Sequence, residues 1–257
     1  MKKLNNYMVL LLCSLLMVAC EIDNYDAPDA TIQGTIYDSE SQKPLQVDHG
    51  AGIIRMKEVS WAKGDSTAYI GNQTLKVQQD GTYRNTKWFA GEYRMLPYNG
   101  AFFPYDDENK DLDNAGELVK ITGAVTKDFT VTPYLSIAWV EEPIVLSDNR
   151  IRCSVRFKRN QKPGYEMPDV KEAWLLVSRN VNTSSRDLDL YPLKMDLTNE
   201  MEGSVLEFTT SRAVKYTGIN YWIRVSMNCQ TAAGKPETNY PGMGASNFTD
   251  IKEIFVP

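Results

Sequence analysis

The sequence predicts an all-β protein built as two β-sandwich domains, and three observations carry the prediction. Beyond its first twenty residues the chain is a succession of short runs of alternating apolar and polar residues, with no sustained helical periodicity. Turn residues punctuate the runs, as at Gln79-Asp80-Gly81 and Ala90-Gly91. Two runs, Ile151–Phe157 and Tyr221–Met227, put their apolar residues on one parity, the pattern of a half-buried strand.

The amino terminus obeys a different logic. Lys2 and Lys3 precede the apolar run Tyr7–Ala19, which ends at Cys20 and gives way to Glu21 and Asp23. A membrane-crossing helix needs roughly 20 apolar residues, whereas this run fits the range of about 7–15 expected of a signal peptide. Leu16-Met17-Val18-Ala19-Cys20 resembles the lipobox of bacterial lipoproteins, with Met17 where leucine is usual. Residues 1–19 are therefore expected to be removed and Cys20 to carry several acyl chains, a durable anchor. Cleavage removes two lysines and no acid, taking the formal charge from −5 to −7. That acidity, with no basic stripe, excludes a nucleic-acid partner and leaves the acyl chains as the membrane contact.

Residues 20–30 read as a polar tether. A first domain over 31–126 takes strands at Thr31–Tyr37, Gly52–Trp61, Gln73–Val77, Gly81–Lys87, Gly91–Tyr98 and Leu118–Thr122. A second over 127–257 takes Lys127–Val140, Ile151–Lys158, Lys171–Ser178, Val205–Thr209, Tyr221–Cys229 and Thr249–Val256. Once Cys13 has left with the signal and Cys20 is acylated, Cys153 and Cys229 are the remaining thiols. Both lie on the inward parity of candidate facing strands, so a disulfide between them is a candidate, with the register left open.

Chemistry is sparse. His49 is the single histidine, which leaves triads and multi-histidine metal sites almost nothing to build with. Glu141 with Glu142, or Glu58 with Asp65, has the composition of a glycosidase carboxylate pair, but a chain with 33 acids supplies such pairs by chance. The expectation is a non-enzyme without a cofactor. Asp107, Asn109, Asp111 and Asp113 fall at two-residue spacing, as in a calcium loop. Leu112 and Leu118 stand where that loop needs glycine and glutamate, so the ordinary reading is a solvated acidic segment.

The aromatic inventory is richer. Trp139 and Trp174 read as strand packing, whereas the segment Pro97–Asp113 is long for a connection and interleaves aromatic with polar residues. Two readings compete there. As a glycan platform, Tyr98, Phe102, Phe103 and Tyr105 stack on sugar rings while Asn99, Asp106 and Asp107 bind hydroxyls. As a lid, Phe102 and Phe103 fold back on the first sandwich, the favoured reading because exposed aromatic pairs are costly.

Ile32-Gln33-Gly34-Thr35-Ile36-Tyr37-Asp38, Lys43-Pro44-Leu45, Asp80-Gly81-Thr82-Tyr83 and Phe89-Ala90-Gly91-Glu92-Tyr93 together resemble the carboxypeptidase-regulatory-like, transthyretin-like sandwich. The second half is similar to immunoglobulin-like sandwiches. With the lipobox and Thr130-Val131-Thr132-Pro133-Tyr134-Leu135 at the junction, the chain resembles an uncharacterised two-domain lipoprotein family of Bacteroidota. The resemblance implies an outer-membrane, surface-exposed accessory to SusC/SusD-type glycan transporters, binding carbohydrate or docking to transporter components. A structural or assembly lipoprotein without sugar binding is the alternative it leaves open; a carboxylate-dependent glycosidase is the remote one. It assigns no catalytic residue.

Overall fold

The computed structural model describes residues 27–61, 70–106, 114–184 and 193–257. Cys20, Asp65, Asp107, Asn109, Asp111 and Asp113 lie outside the described residues. The regular structure of the described residues is almost entirely strand, arranged as two sandwiches.

In the first, β1 (Ala30–Asp38) pairs antiparallel with β4 (Thr82–Trp88) on one edge. Its other edge takes β7 (Ala124–Thr126) and then β8 (Phe129–Val131), both parallel. The facing sheet has the order β3 (Asn72–Val77), β2 (Ala51–Glu58), β5 (Gly91–Pro97), β6 (Glu117–Ile121). Ile32 and Ile36 of β1 point into the core between the sheets, while Gln33, Thr35 and Tyr37 take the other parity. Gly34 is required by close approach: a Cβ there would stand 1.9 Å from the Lys127 carbonyl oxygen, which also accepts the Tyr83 hydroxyl. Gly81 adopts φ +79° at the β3–β4 turn, where the Asp80 carboxylate accepts from the Thr82 amide (3.1 Å) and hydroxyl (2.7 Å).

The first core extends further along the chain than its alternation indicates. Phe129 and Val131 are buried in it, so the first sandwich runs to residue 131 rather than 126. The single strand expected over Lys127–Val140 is two strands, interrupted at Thr132-Pro133, where proline has no N–H to donate.

The second sandwich sets β13 (Leu206–Thr209), β10 (Ile151–Arg159) and β9 (Leu135–Val145) against a larger sheet. In that sheet β11 (Asp169–Ser178) lies between β12 (Leu193–Asp196) and β14 (Ile219–Gln230), and β15 (Ser246–Phe248) and β16 (Lys252–Val256) share the far edge of β14. Ile151, Cys153, Val155 and Phe157 bury one parity of β10; Tyr221, Ile223, Val225 and Met227 bury one parity of β14. The Tyr221 hydroxyl donates to the Tyr216 carbonyl (3.0 Å), the corner closure familiar from immunoglobulin-type sandwiches.

Cys153 and Cys229 are free, buried thiols, not a disulfide. Both face the same core, and a shared inward parity does not by itself bring two sulfurs within bonding distance. Burial pushes both thiols up to about 12, so neither is nucleophilic at neutral pH.

The two sandwiches meet through the segment after β5. Ala101–Phe103 runs antiparallel to Thr132–Tyr134, with Phe103 N–H donating to Thr132 O (2.9 Å) and Tyr134 N–H to Ala101 O (3.1 Å). Phe102 enters the first core and Phe103 the second, where its ring meets Tyr134, Tyr165 and Tyr240 at centroid distances of 5.1, 6.0 and 5.8 Å. Asn247, buried on β15, donates to Ala101 O (2.9 Å) and accepts from Leu135 N–H (3.1 Å).

Truncating either ring should therefore destabilise both sandwiches together: Phe102→Ala and Phe103→Ala should each cost about 3–5 kcal/mol, read as a downward shift of one shared calorimetric transition. Thiol counting under denaturing, non-reducing conditions should find both Cys153 and Cys229 reactive with a maleimide probe, and neither should react in the folded protein.

Candidate functional site

The segment Pro97–Asp106 is a strut rather than a platform. Phe102 and Phe103 are 2% and 1% exposed, so their rings stack on protein and not on a ligand. Tyr98 is half-buried with the Arg55 guanidinium 5.7 Å from its ring centre. Asn99 is exposed at φ +66° and turns the chain. Tyr105 packs edge-on against Phe129 (5.6 Å), and its hydroxyl donates to Glu117. The Asp106 carboxylate accepts the Gly116 amide (2.8 Å). The space left beside these residues is about 40 Å³, room for a water molecule and not for a pyranose ring. Asp107 lies outside the described residues.

Among the described residues no group of three or more His, Cys, Asp or Glu side chains is arranged to hold a metal ion. The carboxylate pairs also disperse. Glu141 pairs with Arg152 (3.0 Å) and Glu142 with Lys252 (2.6 Å), while Glu58 is buried and bonded to the turn that follows it.

A concavity lies where the turn after β1 approaches β9 and β10. It is a cleft of about 820 Å³ between the two sandwiches, a setting that ligand sites favour. Leu45 and Phe248 contribute apolar lining, and Trp139 on β9 is half-buried beside them, its indole Nε1 enclosed and without a hydrogen-bond partner among the described residues. One wall, from the first sandwich, carries Lys43 and Gln46; the other carries Arg156 and Lys158 on the outward parity of β10.

The hydrogen-bonding inventory of the walls is uneven. Asp38 spends its carboxylate on its own turn, accepting from Glu40 N–H (2.7 Å) and the Ser41 hydroxyl (2.8 Å). Glu202 accepts the Arg159 amide (2.8 Å), and Asp250 pairs with Lys252 (3.0 Å). Lys158 reaches across to Glu40 (2.8 Å), which raises its pKa. Lys43 and Arg156 have no carboxylate partner among the described residues, so the cleft presents unused donors from both walls. Neither residue stood out in the sequence, where Lys43-Pro44-Leu45 reads only as a fold signature and Trp139 as strand packing.

Arg224, fully buried, supports the cleft from below. Its guanidinium lies 4.0 Å over the Phe248 ring, and Nη1 donates to Val47 O (3.0 Å) and Thr183 O (3.4 Å). Burial lowers its pKa to about 9, opposed by Asp48 and Asp250. A cation of the second sandwich thus holds a carbonyl of the first.

Residues 30–132 match the family model described as the DUF3823 N-terminal domain, a protein of unknown function. No curated protein matches the chain. Its fold is similar to that of a DUF3823 family protein from Bacteroides uniformis, with a TM-score of 0.71 and 21% identity over 90% of this chain and 100% of that one. A second Bacteroides uniformis protein, provisionally described as carbohydrate binding, is similar with a TM-score of 0.63 and 21% identity over 89% of this chain and all of the other. A DUF3823 family protein from Parabacteroides merdae gives 0.60 and 16% over 89% of this chain and 100% of that one. These likenesses establish the shared fold.

The strut carries a pH signature. Burial opposes ionisation of Glu117, but its bonds to Lys127 (2.5 Å) and Tyr105 keep its pKa below the ordinary carboxylate value. A depressed folded-state pKa contributes stability above the unfolded value, about 4.3, and loses it as pH falls through the folded one. Urea midpoints at pH 6 and pH 3 should therefore differ more for the wild type than for Glu117→Gln.

Proposed function

We propose that this protein is a lipid-anchored, non-catalytic component of the cell surface that captures carbohydrate in the cleft between its sandwiches, as an accessory to a glycan-uptake system. The observation that carries the reading is the cleft itself: an apolar floor beside Trp139, with the unengaged donors of Lys43 and Arg156 on opposite walls. Sugars need that combination, an apolar surface for the ring face and directed hydrogen bonds for hydroxyl and carboxylate oxygens. The fold shared with a provisionally described carbohydrate-binding protein supports the ligand class. The lipobox-like Leu16–Cys20 supports the anchor, and the resemblance to Bacteroidota surface lipoproteins supports the uptake setting and docking beside SusC/SusD-type components.

A glycan array followed by calorimetric titration of the mature chain tests this. Lys43 and Arg156 are exposed and outside both cores, so Lys43→Gln with Arg156→Gln should leave the melting temperature unchanged. Binding should weaken by about 10-fold or more, since hydrogen bonds from charged donors contribute about 1.5–3 kcal/mol. Tyr98→Ala should bind like the wild type. Retention of full affinity by the double variant would remove the cleft from the reading.

A further inference from the structure

We propose that Trp61 and Phe89 form a membrane-facing foot, seated at the lipid–water interface of the leaflet that holds the acylated Cys20. The inference rests on the lipid anchor proposed above and adds to it which end of the protein faces the bilayer.

The two side chains are a deliberate exposure. Trp61 is 56% and Phe89 42% exposed, their ring centres 6.0 Å apart and their planes at 77°. Buried groups hold both backbones in place. Glu58, 3% exposed at the end of β2, accepts from the Trp61 amide (2.9 Å), the Ser60 amide (2.8 Å) and the Ser60 hydroxyl. The Ser60 hydroxyl oxygen in turn accepts the Glu92 amide (3.1 Å). The hydroxyl of Tyr93, 1% exposed, donates to the Phe89 carbonyl (3.0 Å). Burying a carboxylate is costly unless its oxygens are bonded. Here those bonds fix the turn that presents an indole to the outside.

The position of the pair selects the occupant. Trp88, next to Phe89, pairs with Ala30, the first residue of β1. The other end of β1 leads to Glu40 and its contact with Lys158 of the second sandwich. The aromatic pair therefore sits at the end of the first sandwich from which the chain runs back to Cys20, and away from the second sandwich. Nine residues lie between Cys20 and Ala30, and the ten steps of chain reach at most about 35 Å when extended. An anchor on so short a leash keeps this end near the bilayer.

The chemistry agrees. The mature chain is acidic, so attraction to anionic lipid is unavailable, and tryptophan and phenylalanine are side chains that partition into the interface without charge. A sugar platform fits less well, because rings at 77° share no plane for a pyranose to lie on.

The full chain, processed and acylated in its host, is purified and reconstituted into phosphatidylcholine vesicles with plain or brominated acyl chains. Trp61 is one of five tryptophans, so bromine should remove roughly a fifth of the indole emission, and Trp61→Phe should abolish most of that loss while staying bound to the vesicles. Mass spectrometry of the same sample reads the acyl group at Cys20. An acylated, vesicle-bound protein whose quenching is absent, or unchanged in Trp61→Phe, overturns the foot and leaves the anchor standing. An unacylated Cys20 overturns both. Loss of saccharide binding in Trp61→Phe would reassign the pair to the ligand and also overturn the foot.

Discussion

Phe102 and Phe103 are neighbours in an extended segment, and neighbours in an extended segment point to opposite sides. One ring completes the core of the first sandwich and the next completes that of the second. Each buried phenylalanine contributes about 1.5–3 kcal/mol of transfer free energy. By contrast, the Lys158–Glu40 pair that also spans the two bodies is exposed to solvent and screened by it, so it adds little. The apolar strut therefore sets the relation between the sandwiches, and the ion pair only decorates it. Close approach reinforces the constraint. A Cβ on Gly242 of the second sandwich would stand 2.3 Å from the Gly100 carbonyl oxygen, so the backbones meet where two glycines permit it.

The cleft follows from that constraint. Its walls come from the turn after β1 and from β10, which share no strand pairing and are held at a fixed separation by packing elsewhere. Arg224 shows how far the packing is pursued. A guanidinium taken wholly out of water is expensive, and its partners include a carbonyl of the other sandwich, Val47 O. Its Nε and Nη2 find no hydrogen-bond partner among the described residues, so stacking on Phe248 and the two carbonyl bonds must compensate.

Much of this architecture was legible in the sequence wherever a strand is long and half-buried. β1, β10 and β14 alternate cleanly, and their predicted spans agree with the observed ones within two residues at each end. β7, β12 and β15 were not foreseen: at three or four residues a strand shows too little of a period to stand out dependably, although the equally short β13 was marked. Parity placed Cys153 and Cys229 on one core correctly, but parity carries no information about position along the strands, and the two thiols stay free. The length and content of Pro97–Asp113 marked it as unusual, and the lid reading foresaw Phe102. It did not foresee Phe103, whose destination depends on residues more than a hundred positions away, such as Asn247 and Tyr240. The cleft was unreadable for the same reason, since Lys43 and Arg156 are brought to one concavity only by the packing of one sandwich on the other.

Trp61 and Trp139 show why residue type alone cannot assign a role. Both are tryptophans at or beside strands, and one sits at the amino-terminal end of the first sandwich while the other lies by the cleft at its opposite end. β1 runs from one end to the other, and its nine residues span about 30 Å. On the proposed anchor at Cys20 the molecule acquires a direction, with the amino-terminal end of β1 furthest from the second sandwich. Function at the two ends can then diverge without interference, because a ring at Trp61 and a donor at Arg156 share no packing partner and answer to different neighbours. The strut makes that division of labour rigid: whatever orients the first sandwich also orients the cleft.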